Sequence, residues 1–492
     1  MVTKLSLETL SSLPPSVAKP SYARDALSPG IVHFGLGNFH RAHQAVYLDA
    51  LFNQNEDHDW AIVGAGVFEG EKRGRDVLAA QDWLTTVVEQ DQGVMDARVT
   101  GAMIDFLVPG DGAAIVASLA DPAIRIVSLT ITEGGYFIDA STGRFDPKHP
   151  DIARDAADPT APKTVFGLIL AGLKARRDAN TPPFTVMCCD NIPHNGHVTR
   201  DAVCGLANLF DPELAEWVEA NVAFPNGMVD RITPATTDRE RTIAREEFGV
   251  EDGWPVFCEP FKQWVLEDRF PLGRPALEKV GVQFVEDVSP FELMKIRILN
   301  GGHATIAYPG GLLDIHFVHE AMEHPLIRGF LAKLERTEII PTVPPVPGVV
   351  LEDYYQLIES RFSNPKIGDT VRRLCLDGSN RQPKFIIPTI ADRLKANQPV
   401  AGLALESALW CRYCYGESDA GKAIEPNDPN WDRMQATAKQ AKSDPSAWLA
   451  MDDIYGAVGR SPDFAREFSG ALKALWADGT VAVLQRYLGQ QA

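Results

Sequence analysis

Gly30-Ile31-Val32-His33-Phe34-Gly35-Leu36-Gly37-Asn38-Phe39-His40-Arg41-Ala42-His43-Gln44 is the stretch on which the fold turns. Gly30 to Gly35 reads as a short buried strand, and Ala45 to Phe52 as a helix, with a Gly-x-Gly turn between them. Such a turn suits a dinucleotide. Its glycines let the main chain approach a pyrophosphate, and the helix N-terminus offers N–H donors. Gly35, Gly37, Asn38, Phe39, His40 and Arg41 are therefore candidate cofactor contacts. The third glycine of the usual fingerprint is missing, so an ordinary strand–helix turn stays open as a reading.

Downstream, Trp60-Ala61-Ile62-Val63-Gly64-Ala65-Gly66-Val67 reads as a second strand followed by Glu69 and Glu71. A carboxylate just past this strand can hold the adenosine ribose and repel a 2′-phosphate, which favours NAD over NADP. Glu69 is the candidate, with Glu71 as the alternative and a solvated loop charge as the plain reading of either. Leu84–Glu89 alternates like a strand, Ala113–Leu119 suits a helix, and Ile124–Ile131 is a strong strand ending at Thr132-Glu133-Gly134-Gly135-Tyr136. Thr164–Arg177 suits a helix and Phe184–Cys189 another strand, ending at Asp190-Asn191. Alternating strands and helices imply a mostly parallel sheet, with ligands beyond the C-terminal strand ends. The Gly35–Gly37 turn, Glu133 and Asn191 all fall at such ends.

Between 223 and 287 the texture is irregular, and residues 1–29 are expected to wrap the surface. Beyond 287 helical patterns dominate: Leu326–Arg336, Asp353–Arg361, Val371–Cys375, Ala401–Tyr413 and Phe464–Trp476. Four prolines in 341–348 predict a stiff, extended loop. The expected division is an α/β dinucleotide-binding domain over 1–286 and a mainly α-helical catalytic domain over 287–492, with the reaction in the cleft between them.

The second informative stretch is Met294-Lys295-Ile296-Arg297-Ile298-Leu299-Asn300-Gly301-Gly302-His303, after the turn signal Ser289-Pro290. At about 100° per residue, Asn300 sits roughly 140° and His303 roughly 80° round from Lys295, so the three can face one cavity. A lysine, an amide and an imidazole there supply a base, a hydrogen-bonding group and a substrate anchor. Taken alone, the segment reads equally as an exposed Lys, a helix-ending Asn-Gly-Gly and a core His. A free lysine, with pKa about 10.4, is a poor base at neutral pH. Burial and nearby cations such as Arg373 disfavour its charged form and would lower that value. Glu292, three positions before Lys295, is a candidate proton relay; a carboxylate at a helix N-terminus is its plain reading.

A chain of 492 residues, 45% hydrophobic, has room for two or three domains and a sizeable core. A net charge of −19 argues against nucleic-acid or anionic-membrane partners. No run approaches a membrane span, and Met1–Pro20 has no signal-peptide core. Seven irregularly spaced cysteines do not form a disulfide framework and suit a reducing, cytoplasmic setting. His40-x-x-His43 and Cys411-x-x-Cys414 raise the thought of zinc. The first pair lies in the nucleotide turn and the second on an apolar helix, so no metal site is expected.

Taken together, these segments resemble the mannitol dehydrogenase family of polyol-specific long-chain dehydrogenases. The resemblance is carried by the Gly35–Gln44 turn, Thr130-Ile131-Thr132-Glu133-Gly134-Gly135-Tyr136, Cys189-Asp190-Asn191, Ala223-Phe224-Pro225-Asn226-Gly227-Met228-Val229-Asp230-Arg231-Ile232-Thr233-Pro234 and Lys295–His303, in that order. It spans nearly the whole chain. It implies a Rossmann-like domain and metal-independent hydride transfer between NAD and C2 of a sugar alcohol, interconverting mannitol and fructose. It further implies Lys295 as general base, and Asn191 and Asn300 as donors to the developing alkoxide. His303 and Asp230 would orient the substrate chain, and Arg373 and Arg381 would bind further hydroxyls. At the position aligned with Arg381 a member of that family carries Lys, and Arg keeps the charge with a different reach. The resemblance leans towards a monomer. Related substrates (arabinitol, sorbitol, fructuronate) and a non-catalytic NAD-binding sensor are the competing readings.

Overall fold

Strand β1 (Pro29–Phe34) lies in the middle of a five-stranded sheet. The other strands are β2 (Ala61–Ala65), β3 (Met103–Phe106), β4 (Ile126–Leu129) and β5 (Thr185–Cys188). All pairings are parallel, and the spatial order is β3-β2-β1-β4-β5. This is the Rossmann order, in which the winding reverses between β1 and β4 and ligands sit beyond the carboxyl ends of the strands. The computed structural model describes residues 2–91, 93–139 and 142–490.

The near-continuous apolar run of β1 follows from burial on both faces. Val32, Phe34, Val127, Leu129 and Val186 pack on one side with Ile115, Leu119, Phe166 and Leu173. Ile31, Ile62, Ile126 and Met187 pack on the other with Leu48, Leu51, Phe52 and Trp264. Each such side chain stabilises the fold by about 1.5–3 kcal/mol. The expected helices occur as Gly112–Ala120 and Val165–Asp178. The Thr164 hydroxyl caps the second by accepting from Gly167 N–H at 3.0 Å. After the Gly-x-Gly turn the helix is broken in two, α1 (Asn38–Ala42) and α2 (Gln44–Phe52), with His43 at φ −122° and ψ −88° between them.

Three expectations are corrected. The strand expected at Leu84–Glu89 is Thr85–Asp91, and it stands outside the parallel sheet, antiparallel to Val94–Thr100. The irregular stretch contains a three-stranded sheet of β6 (Gly227–Asp230), β7 (Gln263–Glu267) and β8 (Gln283–Val285), with β7 in the middle. Strands this short leave little periodicity to read. Residues near the N-terminus do more than wrap the surface. Thr3–Lys4 pairs with Val250–Glu251 and Val17–Ala18 with Ala97–Arg98, and Leu5, Leu13 and Val17 are buried.

The chain divides into two compact units, Met1–Val288 and Ser289–Ala492. The second is helical. It opens with α3 (Ser289–Met294), a π-helical turn (Lys295–Asn300) and α4 (Gly301–Leu312). Helix α4 packs against the helices Pro325–Leu334, Val371–Leu374 and Ala401–Cys414. A Cβ at Gly311 would stand 2.6 Å from the Tyr413 ring, so glycine is required for that approach. The helix expected at Phe464–Trp476 runs much further, over Pro462–Leu488, through a break at Gly479 (φ 79°). Among the described residues no helix is long and apolar enough to cross a membrane.

Candidate active site

The first unit presents the Gly35–Gly37 turn at the end of β1. Gly35 has φ +93°, and a Cβ there would lie 2.0 Å from the Thr130 carbonyl oxygen, so no other residue fits. At Gly37 a Cβ would meet nothing nearer than Gly35 O at 4.0 Å. That face is open to a ligand backbone. The Gly37 N–H closes the turn on Gly35 O at 2.7 Å, and the first bond into α1 is Arg41 N–H to Gly37 O at 3.4 Å. The N–H groups of Asn38, Phe39 and His40 therefore have no acceptor within the helix. A closed glycine turn, an open face and three outward N–H groups fit a dinucleotide pyrophosphate.

The side chains of this segment serve the fold. His40 is fully buried and stacked on His33 at 3.5 Å. Arg41 is also buried; it donates to Trp254 O at 2.5 Å and Asn38 Oδ1 at 2.8 Å, and lies over the Trp254 ring. Asn38 Nδ2 donates to Pro234 O at 2.9 Å. The expectation of cofactor contacts at His40 and Arg41 thus narrows to their main chain, because burial removes both side chains from any ligand. After β2, Glu71 Oε2 accepts from Val67 and Phe68 N–H, while Glu69 is exposed.

Beyond β4 and β5, Asp190 holds two strand ends together. Its carboxylate accepts from Ile131 N–H (2.9 Å), Thr132 N–H (3.0 Å) and the Tyr136 hydroxyl (2.5 Å). Burial raises its pKa while these bonds favour the charged form. They hold Thr132 at φ 65° and ψ 163°, a region that a β-branched residue avoids, so the turn before Glu133 stores strain. Glu133 and Asn191 are exposed beside it. Asp230 closes β6 and is 6% exposed. The neighbouring Arg231 donates to Glu89 Oε1 at 2.6 Å, Ala42 O at 2.5 Å and Glu259 O at 3.0 Å, tying β6 to the end of α1. Asn226 Oδ1 accepts from Gly196 and His197 N–H at the start of the helix Asn195–Asn208. The sequence marked Asn226 within the family stretch without indicating this capping role.

In the second unit Lys295 is 6% exposed and opens the π-helical turn. Its hydrogen bonds skip five residues rather than four, so residues five apart come round to nearly the same side. This corrects the 140° separation of Lys295 and Asn300 expected for an α-helix. His303, on the first turn of α4, stacks on Phe362 with ring centres 4.3 Å apart. Glu292 is buried in the first turn of α3. Arg297 points elsewhere, donating to Thr342 O at 2.6 Å and pairing with Asp392. Arg373 and Arg381 come together: Arg381 donates to the carbonyls of Arg373 and Leu374, both at 3.3 Å. The Arg373 guanidinium is held by both oxygens of Asp369. That ion pair, at i,i+4 spacing, was missed in the sequence although both residues stood there.

The seven cysteines are free thiols. Cys411 and Cys414 are buried in an apolar helix, and desolvation pushes both thiols well above the ordinary range. Among the described residues no three His, Cys, Asp or Glu are placed to share a metal ion.

Comparison with known proteins adds the following. A mannitol dehydrogenase Rossmann domain model matches residues 29–279, and a mannitol dehydrogenase C-terminal domain model matches residues 287–476. The chain is similar to a mannitol 2-dehydrogenase of Cereibacter sphaeroides, 62% identical over 474 residues, covering 96% of this chain and 99% of that one. It is 42% identical over 480 residues to one of Aspergillus clavatus, covering 96% of each. Among solved structures, Pseudomonas fluorescens mannitol 2-dehydrogenase, in ternary complex with NAD and D-mannitol, superposes with a TM-score of 0.87 at 44% identity. That match covers 99% of this chain and 100% of the other. A substrate-free D-sorbitol dehydrogenase superposes with a TM-score of 0.91 at 38% identity, covering 98% and 100%.

Proposed function

The chain belongs to the mannitol dehydrogenase family, and on that footing we propose that it interconverts D-mannitol and D-fructose by NAD-dependent hydride transfer at C2, with a lysine base and no metal. The observation that carries the reading is the burial of Lys295 in a π-helical turn that brings Asn300 round to its side. Burial disfavours the ammonium form and so favours the neutral amine that a base at neutral pH requires.

Lys295 takes the proton of the C2 hydroxyl. Asn191 and Asn300 direct side-chain N–H groups at the oxygen as it gains negative charge, a contribution on the order of 2.7–4 kcal/mol per donor. His303, fixed by its stack on Phe362, and Asp230 orient the polyol chain. Arg373 gives its Nε and one terminal nitrogen to Asp369, and its remaining N–H groups with Arg381 bind further hydroxyls. Glu292 passes the proton from Lys295 towards water. Bound NAD supplies the hydride acceptor. Its pyrophosphate is held by the main chain of Gly35–His40 and Arg41, its ribose by Glu69, with Glu133 at the same strand ends. Glu71 is committed to its own loop, which supports Glu69 for the ribose.

The free thiols suit a reducing cytoplasm, and the family favours a monomer. A second reading keeps the chemistry and makes sorbitol the preferred polyol, which the superposition on D-sorbitol dehydrogenase favours. NADH formation measured with mannitol, sorbitol, arabinitol and fructuronate decides between them. A mannitol kcat/KM well above the rest supports the first reading, and no turnover with any leaves only an NAD-binding protein.

A further inference from the structure

Five polar groups lie in line behind the cofactor turn, from α2 to the Gly35 carbonyl. Gln44 Oε1 stands 3.0 Å from Ser128 Oγ, Ser128 Oγ 2.8 Å from His33 Nδ1, and His33 Nε2 2.9 Å from Thr130 Oγ1. Thr130 Oγ1 donates to Gly35 O at 2.6 Å, and His33 Nε2 lies 3.3 Å from the same oxygen. Gln44, His33 and Ser128 are buried, with His33 and Ser128 fully so. They come from α2, β1 and β4, and the line ends on the carbonyl that also closes the Gly37 N–H turn.

Counting protons fixes the direction of the chain. Gly35 O can only accept, so the Thr130 hydroxyl proton goes to it. Thr130 Oγ1 must then accept from His33 Nε2–H. Burial depresses the His33 pKa to about 3, so the ring is neutral and its Nδ1 is bare. Nδ1 must accept from Ser128, whose single proton is then used, so Ser128 Oγ must accept from Gln44. That requires the Gln44 amide nitrogen, not its oxygen, towards Ser128. The oxygen and nitrogen of an amide are interchangeable in shape, so the bonding pattern assigns them. Turning the amide also removes an anomaly. Gln44 Nε2 is otherwise buried without a partner. The turned amide gives Gln44 Nε2 an acceptor in Ser128 Oγ.

We propose that Gln44, Ser128, His33 and Thr130 form a one-way chain of hydrogen bonds ending on Gly35 O. In it the Nε2–H tautomer of His33 is the positioning residue that keeps the Gly35–Gly37 turn in its dinucleotide-binding shape. The proposal rests on the reading of that turn as the cofactor site.

The test is NADH titration by fluorescence, with steady-state kinetics, on the full chain. His33→Gln keeps a donor near the Nε2 position, whereas His33→Asn keeps a polar atom only near Nδ1. Thr130→Val removes the final hydroxyl and Thr130→Ser retains it. His33→Asn and Thr130→Val should each raise the NADH Kd about tenfold, with kcat at saturating cofactor little changed. His33→Gln and Thr130→Ser should stay close to the parent. A loss of packing alone would not sort the two His33 variants in this way. If His33→Asn is not obtained folded, the Thr130 pair, at the half-buried end of the chain, carries the comparison. Equal affinities within each pair overturn the proposal, as does tighter binding by the Asn variant than by the Gln variant. A parent chain that does not bind NADH overturns the cofactor reading instead.

Discussion

The Glu71 carboxylate accepts a hydrogen bond from the Phe68 main-chain N–H at 2.8 Å, and the same oxygen accepts from Val67 at 2.9 Å. It therefore serves the loop after β2, where burial also raises its pKa, while Glu69 stands exposed. Glu69→Ser should raise KM for NAD about tenfold and improve the relative use of NADP, because a repulsive carboxylate is gone. Glu71→Gln should lower the melting temperature and leave the NAD to NADP ratio of kcat/KM unchanged. A ratio that moves with Glu71 and not Glu69 reverses the assignment.

The two glycines of the proposed cofactor turn should fail differently. An alanine at Gly35 would drive its Cβ into Thr130 O and hold a strained φ, so Gly35→Ala should unfold the turn and lower both stability and NADH binding. Gly37→Ala has room within the protein, so its melting temperature should stay near the parent value. Its methyl would occupy the open face, and NADH affinity should fall about tenfold or more. Calorimetry beside NADH titration separates the two, and parallel losses in both variants count against the open-face reading.

These positions show how far the sequence carried. The strand–turn–helix around Gly35 and the alternation of strands and helices were readable because a buried parallel sheet demands long apolar runs. The sheet of β6, β7 and β8 was not, since its strands are three to five residues long. Lys295 and Asn300 stood out by type, but a wheel at 100° per residue misplaced them, because a π-helical turn has no composition that announces it. The burial of His40 and Arg41 depends on partners such as Trp254, more than two hundred positions away, which no local pattern records.

Glu406 carries a pH dependence. It is fully buried, and desolvation pushes its carboxyl up to about 8 against the hydrogen bond from Gln382 at 2.6 Å. An unfolded Glu titrates at about 4.3. The native state thus holds the proton more tightly, so the stability this group contributes is full below about 4.3 and is lost as pH rises through about 8. Urea unfolding at about pH 5 and about pH 8 should show the parent losing more stability than Glu406→Gln over that interval. Equal losses in the two proteins would show that Glu406 does not titrate there.

The two amides should each matter to turnover and little to folding. Asn191→Ala and Asn300→Ala should each lower kcat by about a hundredfold or more, as for loss of one donor to a developing oxyanion. NADH affinity should hold, and if the two amides act together as proposed, the double variant should fall short of the product of the single losses. Full activity in either single variant removes that residue from the oxyanion site.

The most direct measurement is single-turnover mannitol oxidation by Lys295→Met with saturating NAD, followed by absorbance of NADH, alongside NADH titration of the same variant. With the proposed base removed, the rate should fall by about a hundredfold to ten-thousandfold while NADH affinity stays at the parent value. Oxidation at the parent rate would contradict the account, because the buried amine of Lys295 would then not be the group that takes the proton.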